Sequence, residues 1–185
     1  MSLQRQHSRA ITSAVAKFKE LGINFLAVDF DQTILDVHTG GHWQGSQEEL
    51  FVHVRPVFAQ LIQAVAEDED MHTAVVTYTR QINFVRGVLD HIVGPEASQQ
   101  IPIRGSDRSW EYKGTGSMKG KQPYMASAVE ELESRNEGLR ISKATTLLID
   151  DDSRNIRYAL KDGTRALWFN PDKPHMLLQD IMKLV

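Results

Sequence analysis

Two aspartates follow an apolar run early in the sequence. The stretch FLAVDFDQTILDV, residues 25–37, places Asp29 and Asp31 at the end of a segment that is typical of a buried strand. A buried carboxylate is costly unless a partner offsets its lost hydration. Both side chains can point the same way on an extended chain, because side-chain direction alternates from residue to residue. The pair therefore predicts a bound cation at the end of this strand.

Polar side chains also end two later apolar runs. HTAVVT ends at Thr77, and TTLLID ends at Asp150 and is followed by Asp151. The carboxyl ends of parallel strands share one edge of a sheet, so we expect these groups to meet Asp29 and Asp31. Carboxylates favour Mg²⁺ over zinc or copper. A strand-end hydroxyl and a lysine at a helix start would add a cradle for a tetrahedral phosphate dianion.

The elements that must position these side chains alternate between strands and helices. Short apolar runs predict strands over residues 23–30, 72–79, 101–105, 144–150 and 165–170. Apolar spacing or helix-start signals predict helices over residues 11–21, after Ser46, over 56–68, 82–92, 122–135 and 154–160, and at the C-terminus. We predict an α/β fold, a Rossmann-like three-layer sandwich with about five parallel strands.

The composition is that of an ordinary globular protein. The chain has 185 residues, of which 41% are hydrophobic and 24% are charged. This length suits one domain with a full core. We therefore expect a single domain over residues 1–185, with a small flap over about residues 36–54.

Charge and cysteine content exclude several classes of partner and site. The net charge is −3 without a basic stripe, so a nucleic-acid partner is not indicated. No segment reaches the roughly 18 apolar residues of a membrane span, so we expect no membrane partner. The sequence contains no cysteine, and its N-terminal segment lacks the apolar core of a secretory signal. These features predict a cytoplasmic location.

Taken in chain order, the polar motifs resemble those of the haloacid dehalogenase (HAD) superfamily of phosphohydrolases. They are DFDQT, VVT, a lysine before a helix, and LLIDDDSRN. The first motif is the specific one, because an apolar strand followed by D-x-D-x-T is uncommon by chance. In the fourth, Asp150, Asp151 and Asn155 match the D-D-x-x-x-N pattern of the family. The resemblance implies a HAD-like fold and a Mg²⁺-dependent phosphatase.

The resemblance also implies roles for individual residues. Asp29 would be the nucleophile that forms an aspartyl-phosphate, and Asp31 the general acid and then the base. Thr77 would bind a phosphoryl oxygen. Mg²⁺ would be held by Asp29, the backbone carbonyl of Asp31 and Asp151, with Asp150 close by.

The lysine of the third motif has two main candidates. The segment SMKGKQP contains Lys119 and Lys121, and Lys113 is a more distant alternative. We favour Lys121, because it directly precedes the predicted helix and because its Lys-x-Pro neighbourhood resembles the third motif of the family.

Many family members carry a large cap domain after the first motif or between the second and third motifs, and in this chain both intervals, Asp31 to Thr77 and Thr77 to Lys121, are too short for one. The sequence thus resembles capless members, which often act on macromolecules or use a partner subunit to close the site. We interpret His38, His42 and Trp43 as parts of a flap over the substrate, with Gly40 and Gly41 as hinges. Packing of Trp43 against the domain is an alternative. The expected partner is a phosphorylated small molecule or macromolecule, and a homo-oligomer could close the site.

Two alternatives to a phosphatase use the same residues. One is a phosphotransferase, and the other is a catalytically silent signalling or scaffold module that is phosphorylated on aspartate or binds Mg²⁺. Response-regulator receivers also use aspartates, a hydroxyl and a lysine, but their acidic pair precedes the acceptor aspartate on a later strand. The motif order in this chain differs from that arrangement. Every catalytic position of the family pattern is filled, which favours an enzyme.

Overall fold

The protein is described by a computed structural model covering residues 3–185, with side chains described from residue 8 onward. Five parallel strands form one sheet in the order β3-β2-β1-β4-β5. The strands are β1 (Phe25–Val28), β2 (His72–Val76), β3 (Ile103–Arg104), β4 (Thr146–Asp150) and β5 (Arg165–Trp168).

Helices connect the strands and cover both faces of the sheet. They are α1 (Leu3–Glu20), α2 (Gln47–Phe51), α3 (Pro56–Ala66), α4 (Ile82–Val93), α5 (Pro95–Ser98), α6 (Gln122–Arg135), α7 (Ser153–Lys161) and α8 (Leu177–Met182). Among the described residues, none of these helices is both long and apolar enough to cross a membrane.

Alternating side chains of the central strands build two cores. On one face, Leu26 and Val28 pack in a cluster with residues of α1, α3, α4 and α8. On the other face, Phe25 and Ala27 pack in a cluster with residues of α6 and α7. Burial on both faces explains why the strands are continuously apolar rather than alternating. The result is the predicted three-layer α/β sandwich.

Strand register brings the polar residues to one edge. Strand β1 lies between β2 and β4, and Val28 pairs with Val75 on one side and with Ile149 on the other. Asp29 follows Val28 and is therefore level with Asp150 at the end of β4. Thr77 follows β2 on the other side of β1. The strand order therefore places Asp29, Asp150 and Thr77 together at the carboxyl edge of the sheet.

A tight turn and a closed loop follow β1. The turn spans Phe30–Ile34, and Gln32 has a φ of 59°, a left-handed conformation that is uncommon outside glycine. The loop then returns to its start, because Leu35 and Val54 form an antiparallel bridge. This bridge closes the base of the predicted flap.

Most predicted elements are present, and the differences are local. Helix α6 spans the predicted residues 122–135. The helix predicted after Ser46 is α2, and Ser46 caps it in a capping box with Glu49. Strand β1 is shorter than its apolar run and ends at Val28, because the chain turns at Phe30. The single-turn helix α5 was not predicted, since four residues are too few to show a helical period.

Candidate active site

A buried ion pair lies at the carboxyl edge of the sheet. The Nζ of Lys121 is 2.6 Å from Oδ1 of Asp29 and also donates to the backbone carbonyl of Val76 at 2.6 Å. The Lys121 side chain is fully buried, and Asp29 is 7% exposed. A buried ammonium must be paired, so these contacts account for the position of the lysine.

Helix α6 delivers this lysine to the site. Lys121 is the N-cap of α6, and Pro123 in the first turn suits a helix start. A cation at a helix N-terminus is disfavoured by the helix dipole, so the negative charge of Asp29 must compensate. Lys119, the other main candidate, is exposed and lies outside the cluster.

Three carboxylates converge beside this pair. Asp29, Asp150 and Asp151 each offer one oxygen, and the three oxygens lie within 4.8 Å of one another. Thr33 bridges two of them, since its Oγ1 lies 3.4 Å from oxygens of both Asp29 and Asp151. Three carboxylates against one ammonium leave a net negative charge at the site. Hard oxygen donors with this charge suit a divalent cation such as Mg²⁺.

Burial and mutual repulsion shift the pKa values of these carboxyls upward. Burial, followed by the charge of Asp29, raises the pKa of Asp150 to about 7 and the pKa of Asp151 to about 6. Burial also raises the pKa of Asp29, whereas the ammonium of Lys121 opposes this shift. A bound cation would favour the charged form of all three groups.

Hydrogen bonds hold Asp150 in place from two sides. Its Oδ1 accepts from the backbone N–H of Asp152 at 2.8 Å, and its Oδ2 accepts from Nδ2 of Asn155 at 2.9 Å. The Asn155 amide in turn accepts from the Tyr78 hydroxyl at 3.0 Å. Asp152 caps α7 by accepting a hydrogen bond from the backbone N–H of Arg154.

Asp31 is tied to the flap rather than to the carboxylate cluster. Its Oδ1 accepts from the Oγ1 of Thr39 at 2.8 Å, and its Oδ2 lies 3.3 Å from Nδ1 of His38. The carboxyl group therefore lies where the flap meets the cleft.

Thr77 is buried at the end of β2 with its hydroxyl oxygen engaged. Its Oγ1 accepts from the backbone N–H of Thr79 at 3.2 Å. Because the oxygen accepts this bond, the hydroxyl hydrogen is available for an acceptor in the cleft.

A cavity of about 470 Å³ contains most of these groups. Its lining includes Asp29, Asp31, Thr77, Asp150, Asp151 and His38. His42 and Trp43 instead line an adjoining cavity, which His38 also borders. Trp43 packs against the main hydrophobic cluster, which agrees with the packing alternative for this residue.

Two contributors to the site were missed in the sequence. Gln81 holds the flap, because its side-chain amide accepts from the backbone N–H of Trp43 at 2.6 Å and donates to its carbonyl at 3.0 Å. Tyr78 holds Asn155 and also lies against Lys121, with the ammonium 4.2 Å from its ring centroid. The only sequence signal for Gln81 and Tyr78 was their position close to Thr77, because a glutamine or a tyrosine in a loop does not by itself indicate a function.

Comparison with known proteins gives structural relatives only. No family model and no curated protein matches the chain. The N-terminal part of a Bacteroides fragilis protein, a structure containing a phosphatase domain complexed with Mg, superposes with a TM-score of 0.52 at 13% identity. The match covers 91% of this chain and 41% of that chain.

Two further solved structures match with lower scores. An uncharacterized protein from Corynebacterium glutamicum has a TM-score of 0.48 at 14% identity, with 88% of this chain and 97% of that chain covered. The HAD domain of an effector protein from Legionella pneumophila has a TM-score of 0.40 at 15% identity, with 80% and 85% covered. The sheet order and the Bacteroides match together show that the chain has the Rossmann-like α/β fold predicted from its sequence.

Proposed function

We propose that the protein is a Mg²⁺-dependent phosphomonoester hydrolase that acts through an aspartyl-phosphate on Asp29. The observation that carries this proposal is the buried contact of 2.6 Å between Lys121 and Asp29 beside the carboxylate cluster. An ammonium at this point would neutralise charge shared between a carboxylate nucleophile and an incoming phosphoryl group.

In the first step, a carboxylate oxygen of Asp29 would attack phosphorus as the bond to the leaving oxygen breaks. A carboxylate needs no base to activate it once it is ionised. Lys121 holds one oxygen of Asp29 and so orients the other. Thr77 would donate its hydroxyl hydrogen to a phosphoryl oxygen, and Asp31 would give its proton to the leaving oxygen.

In the second step, water would attack the same phosphorus. Asp31, now ionised, would remove a proton from the water as the bond between phosphorus and Asp29 breaks. This step releases inorganic phosphate and restores both carboxyl groups to their starting states. Thr39 and His38 hold Asp31 beside the flap, which is where a leaving group would lie.

Asp29, Asp150 and Asp151 would hold the metal ion, and the resemblance adds the backbone carbonyl of Asp31. The ion would supply positive charge that lets an anionic phosphate approach an anionic nucleophile. The cavity volume of about 470 Å³ lies within the usual range for small-molecule sites, and it supports a phosphorylated small molecule or a phosphorylated side chain as substrate.

The test is hydrolysis of p-nitrophenyl phosphate by the purified protein with Mg²⁺ and with chelator. We expect metal-dependent turnover that Asp29→Asn abolishes, because an amide cannot replace the nucleophile. Circular dichroism of the variant controls for folding. Turnover that persists in Asp29→Asn would overturn the assignment of the nucleophile.

A protein that is phosphorylated but does not turn over would give a different result. Beryllium fluoride with Mg²⁺ would raise the melting temperature of the wild type but not of Asp29→Asn, without release of phosphate from any phosphomonoester in a screen. That outcome would replace the hydrolase by the signalling or scaffold alternative.

A further inference from the structure

Tyr78 contacts two catalytic-site residues that come from different parts of the chain. It directly follows Thr77 in the loop after β2 and lines the same cavity as Asp29. Its ring faces Lys121 at the start of α6, and its hydroxyl reaches Asn155 in α7. We propose that Tyr78 is a positioning residue that holds the Lys121 ammonium with its ring and sets the Asp150 carboxylate through Asn155 with its hydroxyl.

The Tyr78 ring adds a contact to the Lys121 ammonium beyond its two hydrogen bonds. Lys121 has three N–H donors, and in the described part of the chain two of them have hydrogen-bond acceptors, Asp29 and Val76. The Tyr78 centroid lies 4.2 Å from Nζ, well inside the range of a cation–π interaction. Because the lysine is fully buried, water does not weaken this attraction.

Neighbouring aromatic residues keep the ring in place. Tyr124 in α6 meets Tyr78 edge to face at 5.5 Å between centroids, and Trp110 packs against Tyr124 at 4.7 Å. The Tyr124 hydroxyl is itself held, since it lies 2.9 Å from Oγ of Ser106. Tyr124 thus supports the Tyr78 ring from α6, the helix that begins just after Lys121.

The hydroxyl acts through a short chain of hydrogen bonds. Tyr78 donates to Oδ1 of Asn155, so the Nδ2 of the same amide faces Oδ2 of Asp150, at 2.9 Å. Burial raises the pKa of Tyr78 above its usual value, which keeps the hydroxyl a donor. Groups that orient a metal ligand in this way strongly affect metal affinity.

The two contacts can be separated by substitution. Tyr78→Phe keeps the ring and removes the hydroxyl, whereas Tyr78→Leu removes both. Tyr112→Phe and Tyr112→Leu are matched controls, because Tyr112 lies in the loop between β3 and α6 and outside the cavity of Asp29. Circular dichroism and melting temperature verify that each variant folds.

The inference rests on the proposed function, so turnover and metal binding are measured separately. For Tyr78→Phe we expect weaker Mg²⁺ binding by calorimetry, by less than the roughly 10- to 100-fold loss typical when a direct partner of a ligand is removed. At saturating Mg²⁺ its kcat should fall by less than that of Tyr78→Leu, because the ring that contacts Lys121 is retained. For Tyr78→Leu we expect a further loss in kcat of up to about 30-fold.

Each half of the inference has its own contrary result. Equal kcat losses in Tyr78→Phe and Tyr78→Leu would overturn the role of the ring, and unchanged Mg²⁺ affinity in Tyr78→Phe would overturn the role of the hydroxyl. The Tyr112 variants should change neither quantity.

If the wild type has no phosphatase activity, the proposed function fails but Tyr78 remains testable. Calorimetry still reports on the hydroxyl. Urea unfolding of metal-free Tyr78→Leu, Lys121→Met and the double variant reports on the ring, because residues in contact have non-additive effects. Additive effects of the two substitutions would overturn the contact between ring and ammonium.

Discussion

At the scale of single residues, the burial of each charged side chain in the site is explained by the charges beside it. Lys121 is buried because Asp29 pairs with it, and Asp29 is tolerated at the end of an apolar strand for the same reason. The neighbouring Asp150 and Asp151 add negative charge that one lysine does not balance. This imbalance is the residue-level argument for a divalent cation.

The two lysines before α6 provide a matched pair of variants. Lys121→Met should lower kcat by about 100- to 1,000-fold, the usual cost of losing one preorganised charge-stabilising group. Lys119→Met should behave like the wild type, since Lys119 is exposed. Steady-state phosphatase kinetics check this, and comparable losses in both variants would mean that the third motif is misplaced.

The raised pKa values predict how the metal-free protein responds to pH. Asp150 keeps its proton up to about pH 7 in the folded protein, whereas an unfolded aspartate loses it near pH 4. The folded state therefore binds more protons in this window, and Asp150 makes the free energy of unfolding fall as pH rises from about 4 to about 7. Asp151 acts in the same direction up to about pH 6.

Melting temperatures in chelator across this pH range check the effect. We expect the wild type to lose stability with rising pH relative to Asp150→Asn, which cannot titrate at this position. A difference between the two proteins that stays constant with pH would contradict the prediction.

At the scale of elements, the loop between β2 and α4 organises much of the cleft. It carries Thr77 and Tyr78 into the site, and Gln81 at its end holds the flap backbone. Gly41 lies against this loop with a φ of 72°, and an added Cβ would lie 3.6 Å from Thr79 and Arg80 atoms. The flap therefore packs on the same loop that presents the Thr77 hydroxyl to the cleft.

Releasing the Gln81 contacts should loosen the flap. Gln81→Ala removes two hydrogen bonds to Trp43, each worth about 1 kcal/mol, so local opening should become about 30-fold more frequent. Hydrogen exchange of the peptide covering residues 38–50 measures this opening. Gln63→Ala on the exposed face of α3 is the control, and an unchanged exchange rate in Gln81→Ala would show that other contacts hold the flap.

At the scale of the whole molecule, the site lies at the point in the sheet where the order of strand addition reverses. The chain adds β2 and β3 on one side of β1 and then crosses to add β4 and β5 on the other. Loops at such a point diverge and leave a crevice at the carboxyl ends of the strands. A ligand bound there contacts both halves of the sheet, so its binding should stabilise the whole fold against unfolding.

Mg²⁺ should therefore raise the melting temperature of the protein. A ligand that binds only the folded state stabilises it by about 2.7 kcal/mol at 100 times its Kd. We expect Asp151→Ala to lose most of this effect, whereas the exposed Asp172→Ala should retain it. If Asp151→Ala responds fully to Mg²⁺, Asp151 is not a ligand, and Asp29 and Asp150 hold the ion without it.

Local signals along the chain were enough to predict the strands, most of the helices and the residues of the acidic cluster. Apolar periodicity reports the local backbone, and D-x-D-x-T after an apolar strand identifies the edge at which the site forms. Helix α6 was predicted to the residue because Pro123 and the apolar spacing after it are local signals.

The contacts that complete the site join side chains that lie far apart along the chain, so they depend on how the elements pack in three dimensions. Lys121 and Asp29 are 92 residues apart in sequence, and Tyr78 and Asn155 are 77 apart. Local signals favoured Lys121 over Lys119, but the contact of Lys121 with Asp29 depends on how α6 docks on the sheet. The partners of Tyr78 and Gln81 depend on how loops meet across the cleft. Such contacts are set by the packing of all elements at once, and no local pattern of residues encodes them.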